Sequence, residues 1–215
     1  GIKILCRIKK ELNIPICSDV HNCDEIKQNL TIPVLTDVHN IDEAKIASEF
    51  CDIIQIPAFL SRQTDLINEA AMTKKYINVK KAPFLSADAC KHIVEKIESK
   101  DNQKIILTER GNSFGYENLV VDMRNIPILK KFNHPVLIDA THSNQKPNQS
   151  SGVSGGTPEF IETIALSGVA AGADGVFIEV HSEPKDALSD GENMLKLDLL
   201  ENLLIKLNKI KSALF

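Results

Sequence analysis

Short apolar runs rich in β-branched residues alternate along this chain with longer stretches in which apolar positions recur every three or four residues. The runs predict strands over 14–18, 32–36, 52–56, 77–80, 104–108, 135–139 and 175–180. The periodic stretches predict helices over 42–49, 64–74, 87–99, 118–131, 158–171 and 194–213. Most of the strands are apolar throughout, as expected of parallel strands buried on both faces. In the last helix Leu195, Leu199, Leu203 and Leu207 predict a core-facing stripe. Alternating β and α means an α/β fold with a parallel sheet.

The strand-like runs share a second property: each releases polar or charged groups at its carboxyl end. Asp37 and His39 follow one run, Gln55 and then Phe59 and Arg62 another. Lys80 and Lys81, Glu109 and Arg110, Asp139 and His142, and Glu179 and His181 follow the rest. Functional groups at the carboxyl ends of parallel strands are the mark of a (β/α)8 barrel, whose active site sits on that face. A doubly wound sheet fits less well, because no GxGxxG follows a first strand. The strand count does not close a barrel. Residues 13–22 and 31–40 read as copies of one strand segment at an offset of 18. That spacing is short for a strand, two turns and a helix, since whole βαβ units run to about 30 residues. The expectation is one domain over 1–215, a TIM (β/α)8 barrel that is incomplete or carries a duplicated strand, with 1–31 atypical.

Composition narrows the function classes. Of 215 residues, 43% are hydrophobic and the net charge is −4, which suits a soluble globular domain and offers no basic patch for nucleic acid. No apolar run is long enough to span a membrane, and the amphipathic residues 1–10 are no signal peptide. The five cysteines form no CxxC and fit no disulfide framework, which reads as the reducing cytoplasm. The chain starts with Gly rather than Met, the sign of a processed, tagged or incomplete sequence.

Three sets of residues carry candidate chemistry. His142, Glu179 and Asp190 offer one imidazole and two carboxylates, a donor set for a divalent ion with open positions; a hydrogen-bonded polar network explains them equally. Lys80, Lys81 and Arg110 are cations at strand ends of an acidic protein; they meet a bound anion or neighbouring acids. Gly152-Val-Ser-Gly-Gly156 contains a GxSxG pattern, but no strand leads into Ser154, so a glycine-rich loop opening the next helix is the better account. The segment 143–157 reads as one long loop and an active-site lid. Phe114 and Tyr116 read as loop packing, and His21, His92 and His134 as surface or connector residues.

The motifs together resemble a known family. Gln55-Ile-Pro-Ala-Phe-Leu-Ser-Arg-Gln-Thr-Asp65, Asn78-Val-Lys-Lys81, Glu109-Arg-Gly-Asn-Ser-Phe-Gly-Tyr116, Asn118-Leu-Val-Val-Asp-Met-Arg124, Asp139-Ala-Thr-His-Ser143 and Ser189-Asp-Gly191 are similar to those of 3-deoxy-D-manno-octulosonate 8-phosphate synthase, from about residue 32 onward. The resemblance implies a cytoplasmic (β/α)8 barrel, usually a homotetramer. It would condense phosphoenolpyruvate with D-arabinose 5-phosphate and water for lipopolysaccharide synthesis. It implies catalytic roles for Lys80, Arg110, Asp37 and His142. Gln55, Phe59, Arg62, Lys80 and Arg110 become substrate contacts, Arg62 reaching a neighbouring subunit. His142, Glu179 and Asp190 become ligands of Zn, Fe, Mn or Co, while the metal-independent form of the family fits as well. The family's Lys-Ala-Ser-Phe-Asp-Lys-Ala-Asn-Arg and Arg-Gly-Pro-Gly motifs do not occur here. That leaves three expectations: a synthase, with little or no activity in this form; a remnant that binds phosphoenolpyruvate or assembles with full-length subunits; or a sibling synthase for another sugar aldehyde.

Overall fold

The computed structural model describes residues 18–19, 32–147, 149, 154–187 and 189–214. The strand expected over 14–17, His21 and most of the first repeat copy lie outside them. Two compact units divide the chain: 1–82 with 89–107, and 83–88 with 108–215.

In the first unit, β1 (Ser18–Asp19), β2 (Val34–Asp37), β3 (Ile53–Ile56) and β4 (Tyr76–Lys80) are parallel neighbours. Lys104, which accepts from the Ile77 N–H, leads into β5 (Ile105–Glu109). All four residues of β3 are buried, the signature of a strand covered on both faces. Helices α1 (Ile41–Phe50), α2 (Thr64–Met72) and α3 (Lys91–Glu98) follow β2, β3 and β4, and pack in that order, α1 on α2 and α2 on α3. Helix α1 begins in a reciprocal cap: Asn40 Oδ1 accepts from the Glu43 N–H, and Glu43 Oε2 accepts from the His39 N–H. Those contacts, the His39 N–H first, hold the exposed Glu43 carboxyl below its ordinary range.

The second unit takes the last two residues of β5 and continues through an antiparallel hairpin, β6 (Asn112–Phe114) and β7 (Asn118–Val120). Helix α4 (Asn125–Lys130) leads to β8 (Val136–Asp139). A second small pair follows, β9 (Gln145–Lys146) with β10 (Gly155–Gly156). Helix α5 (Ile161–Ala170) packs on β8 and on β11 (Gly175–Phe177), which runs parallel to β8. The short parallel pair β12 (Val180–His181) and β13 (Leu195–Lys196) precedes α6 (Leu197–Leu214), which packs on α5. Parallel strands alternating with helices in both units bear out the α/β class, and the repeat is that of a (β/α)8 barrel. No helix among the described residues is long and apolar enough to cross a membrane.

Several expectations need correction. Residues 118–120 are a strand, not the start of a helix; Val120 and Val121 are better strand than helix formers, and the helix waits until Asn125. The strand expected over 175–180 breaks after Phe177. On α6 the buried stripe is Leu200, Leu203, Leu204 and Leu207, while Leu199 is 55% exposed. A strict four-residue repeat drifts about 40° per step around a helix of 3.6 residues per turn, so Leu199 leaves the stripe. Phe114 and Tyr116 do not pack a loop: they stand exposed on the β6–β7 hairpin. His134 lies in the connector between α4 and β8, as expected, and is buried there. Segment 143–157 is not loop throughout: its residues Gln145–Lys146 and Gly155–Gly156 form the pair β9 and β10.

Candidate functional site

Each unit presents polar groups at the carboxyl ends of its own strands. In the first, the register sets Asp37 beside Gln55 and Gln55 beside Asn78, so one residue from each of three adjacent strands falls in a single row. Asn78 Nδ2 donates to Gln55 Oε1 at 2.6 Å, and Gln55 Nε2 donates to Asp37 Oδ1 at 2.7 Å. Gln55 and Asn78 are buried, whereas Asp37 is the exposed end of the row. Lys80 lies two residues beyond Asn78, on the same face of β4, and is buried. Lys81 points to the other face, buried, with its Nζ donating to the Ala82 carbonyl. Phe59 (70% exposed) and Arg62 lie outside this row on the surface, in the turn after β3.

In the second unit Arg110 is buried, and its Nη2 donates to Gln145 Oε1 at 2.6 Å and to the His142 carbonyl at 3.2 Å. Burial lowers the guanidinium pKa from its ordinary value, and the charges of Asp139, Asp190 and Glu109 oppose that shift. Gln145 turns its amide N–H to Asp190 Oδ1 at 2.8 Å. One neutral side chain therefore ties the cation of β5's end to a carboxylate from the turn before β13.

His142 is held from behind by Asp139, which is fully buried. Asp139 Oδ2 lies 2.8 Å from His142 Nδ1, and its Oδ1 accepts the backbone N–H groups of Thr141 and His142. A carboxylate at Nδ1 assigns the proton to that nitrogen. The Nε2 lone pair then faces Glu179 Oε1 at 3.2 Å, acceptor against acceptor. A proton on Nε2 or a cation between the two relieves that contact. Donor atoms of His142, Glu179 and Asp190 all lie within 4.8 Å of one another. Metal–ligand distances of about 2.0–2.2 Å require donors about 3–4 Å apart, so modest closure of this set would hold a divalent ion. The carboxylate behind the imidazole is the outer partner that metal-bound histidines use. Thr141 Oγ1 accepts from the Glu179 N–H at 2.8 Å and fixes the strand end that carries Glu179. His181 belongs to a different set, its Nδ1 lying 2.7 Å from the Glu183 carbonyl oxygen.

A glycine determines where Asp190 stands. A Cβ on Gly156 would lie 2.0 Å from Asn193 Oδ1 and 2.5 Å from the Glu192 carbonyl, so β10 meets the turn carrying Asp190 too closely for any side chain. Asn78, Gln145 and Thr141 were not singled out from the sequence as site residues. The signals were there: a polar residue inside the apolar Ile77–Val79 run, and a Gln three residues after His142.

A model of the DAHP synthetase I family matches residues 1–215. The chain is 52% identical over 210 residues to the 2-dehydro-3-deoxyphosphooctonate aldolase of Citrifermentans bemidjiense, covering 98% of this chain and 70% of that relative. The protein of that name from Geobacter metallireducens is also 52% identical, over 98% of this chain and 71% of its own length. That of Koribacter versatilis is 46% identical over 216 residues, 99% of this chain and 71% of the relative. The similarity thus takes in residues before 32, where the recognised motifs begin. The chain belongs to the DAHP synthetase I family and, within it, to the 2-dehydro-3-deoxyphosphooctonate aldolases, which are the 3-deoxy-D-manno-octulosonate 8-phosphate synthases.

Proposed function

We propose that this protein condenses phosphoenolpyruvate with D-arabinose 5-phosphate and water to give 3-deoxy-D-manno-octulosonate 8-phosphate and inorganic phosphate. The observation that carries the reading is the linked set Arg110–Gln145–Asp190 beside His142 and Glu179, in a chain about half identical to synthases of that name. In the reaction C3 of phosphoenolpyruvate attacks the aldehyde carbon, whose oxygen takes up a proton. Water adds its hydroxyl at C2, and cleavage of the C2–O bond releases phosphate.

Arg110, planar and permanently charged, binds the phosphate or carboxylate of phosphoenolpyruvate through two parallel hydrogen bonds. Its burial keeps water from competing for those donors. Lys80, buried at a strand end, supplies a cation for an anionic substrate and for charge that develops during attack. Asp37, oriented by Gln55, accepts a hydroxyl proton of the aldose. Phe59 and Arg62, exposed in the turn after β3, take the contact with a neighbouring subunit of a homotetramer.

His142, Glu179 and Asp190 would hold a divalent Zn, Fe, Mn or Co ion. Bound there, such an ion supplies Lewis acidity that orients the aldehyde or the water. His142 keeps Nε2 available for it because Asp139 retains the other ring proton. In the metal-independent alternative a protonated His142 bridges Asp139 and Glu179 through its two N–H groups. The described cysteines, Cys51 and Cys90, are both buried.

The test is phosphate release from the protein with phosphoenolpyruvate, with and without D-arabinose 5-phosphate. Release that requires both substrates is the expected result. Release insensitive to the aldose overturns the proposal, and calorimetric binding of phosphoenolpyruvate without turnover reassigns the protein to a binding role. Chelator followed by metal restoration separates the metal-dependent arm from the other.

A further inference from the structure

We propose that Asn78 is a positioning residue: it sets the sense of the Gln55 amide and so holds the Asp37 carboxylate as a fixed acceptor for a hydroxyl of the aldose phosphate. The inference rests on the reaction proposed above and assigns a role to a residue outside the charged and metal-binding set.

The argument starts from the register. Asp37, Gln55 and Asn78 are direct cross-strand neighbours on β2, β3 and β4, so their side chains share one face and one row. Their hydrogen bonds run in one direction only. The Asn78 amide donates to Gln55 Oε1, and the Gln55 amide donates to Asp37 Oδ1. An ionised carboxylate accepts and cannot donate, so Gln55 must turn its N–H to Asp37 and its oxygen to the interior. That oxygen then needs a donor. Asn78 is 0% exposed and Gln55 2%, so the donor must come from protein rather than from bulk solvent. An amide at residue 78 supplies it. Aspartate, nearly the same size, would not, because a carboxylate there accepts.

The consequence reaches the exposed end of the row. With a carboxylate at residue 78, Gln55 gains by turning over, which brings its oxygen against Asp37. Two acceptors at hydrogen-bond distance repel, and Asp37 leaves its place. A polyhydroxy aldehyde recognised through one hydroxyl at Asp37 loses that contact, whereas an anion held by cations does not depend on it.

The experiment is steady-state phosphate release by Asn78→Asp and by Gln55→Glu, with each substrate varied in turn. Gln55→Glu accepts from Asn78 but sets a carboxylate against Asp37, so it tests the same polarity without altering Asn78. Both variants should lower kcat/KM for the aldose phosphate by about 10- to 100-fold, the factor for one hydrogen bond to a charged group, and leave KM for phosphoenolpyruvate within about twofold. In a Gln55→Leu background, Asn78→Asp should add no further loss of aldose-specific kcat/KM beyond about twofold. Wild-type kinetics in Asn78→Asp, equal losses toward both substrates, or additive losses in the Gln55→Leu background would each overturn the role.

Should the unmodified protein release no phosphate, the reaction itself is what has failed. The relay is then read by NMR, as solvent exchange of the Gln55 side-chain amide protons. Exchange slow in the wild type and at least about tenfold faster in Asn78→Asp supports the relay; equal exchange refutes it.

Discussion

Helix α5 approaches β8 so closely that one glycine decides the fit, and replacing it tests how the fold sets the site. A Cβ on Gly168 would stand 2.5 Å from Ile138 Cγ2, 2.7 Å from its Cβ and 2.8 Å from its Cγ1. Carbon atoms in contact prefer about 3.5–4.0 Å, so about 1 Å of separation must be found. Ile138 is completely buried, and because its own Cβ is among the clashing atoms, no change of rotamer supplies the space. The helix must move off the strand. Overpacking of this kind costs about 1–3 kcal/mol, and the rigid Cβ–Cβ contact places Gly168→Ala at the upper end. Alanine returns about 1 kcal/mol through helix propensity, leaving a net loss of about 2 kcal/mol. A chain of this size loses roughly 2–4 °C in Tm per kcal/mol, so the melt should fall by about 4–8 °C. Thr163→Ala, exposed on the same helix, carries the propensity gain without the clash and should match or slightly exceed the wild type. Ile138→Val should not rescue Gly168→Ala, because valine keeps every clashing atom position. Activity should fall as well, since Ile138 adjoins Asp139, which orients His142, and about 1 Å of misplacement costs about 100-fold in rate. A Gly168→Ala protein as stable as the wild type in a thermal melt would refute the reasoning.

Three further perturbations test other joints of the second unit. Asp139→Asn takes the carboxylate from behind His142 and should weaken metal affinity roughly 10- to 100-fold, measured by competition with a chromogenic chelator; unchanged affinity would mean that His142 is not a ligand. Gly156→Ala drives a methyl group into Asn193 and the Glu192 carbonyl and should displace Asp190, abolishing phosphate release while the far-ultraviolet circular dichroism stays native. Asp174→Ala removes the acceptor of the buried Val136 N–H and the partner of Lys130, and should cost about 1–3 kcal/mol in a denaturant titration. Asp174→Asn keeps an acceptor and should lose less.

The charged half of the candidate site was legible in the sequence because burial makes charge conspicuous. Lys80 closes a strand of Ile, Asn and Val, and Arg110 follows Ile-Ile-Leu-Thr-Glu, so each is out of place unless something meets it. His142, Glu179 and Asp190, which are only half-buried, stood out instead as one imidazole and two carboxylates, and the structure gathers their donor atoms within 4.8 Å. The neutral half was not legible in that way. Asn78 and Gln145 carry no charge, and what they do depends on partners 23 and 35–45 residues away, brought alongside by strand register and by the turn that carries Asp190. Local patterns misled where short-range preference and tertiary context diverge: residues 118–121 have helix-compatible spacing but end in the β-branched pair Val120 and Val121, and Leu199 fits a repeat of four that a real helix does not keep. The amides also do something the charges cannot. A primary amide has one donating end and one accepting end, so Gln145 can face Arg110 and Asp190 at once, and Gln55 can face Asn78 and Asp37. A glutamate in either place would satisfy one neighbour and repel the other. The orientation of these two amides therefore follows from the charges around them, and it passes those charges' positions on to the groups that would meet substrate.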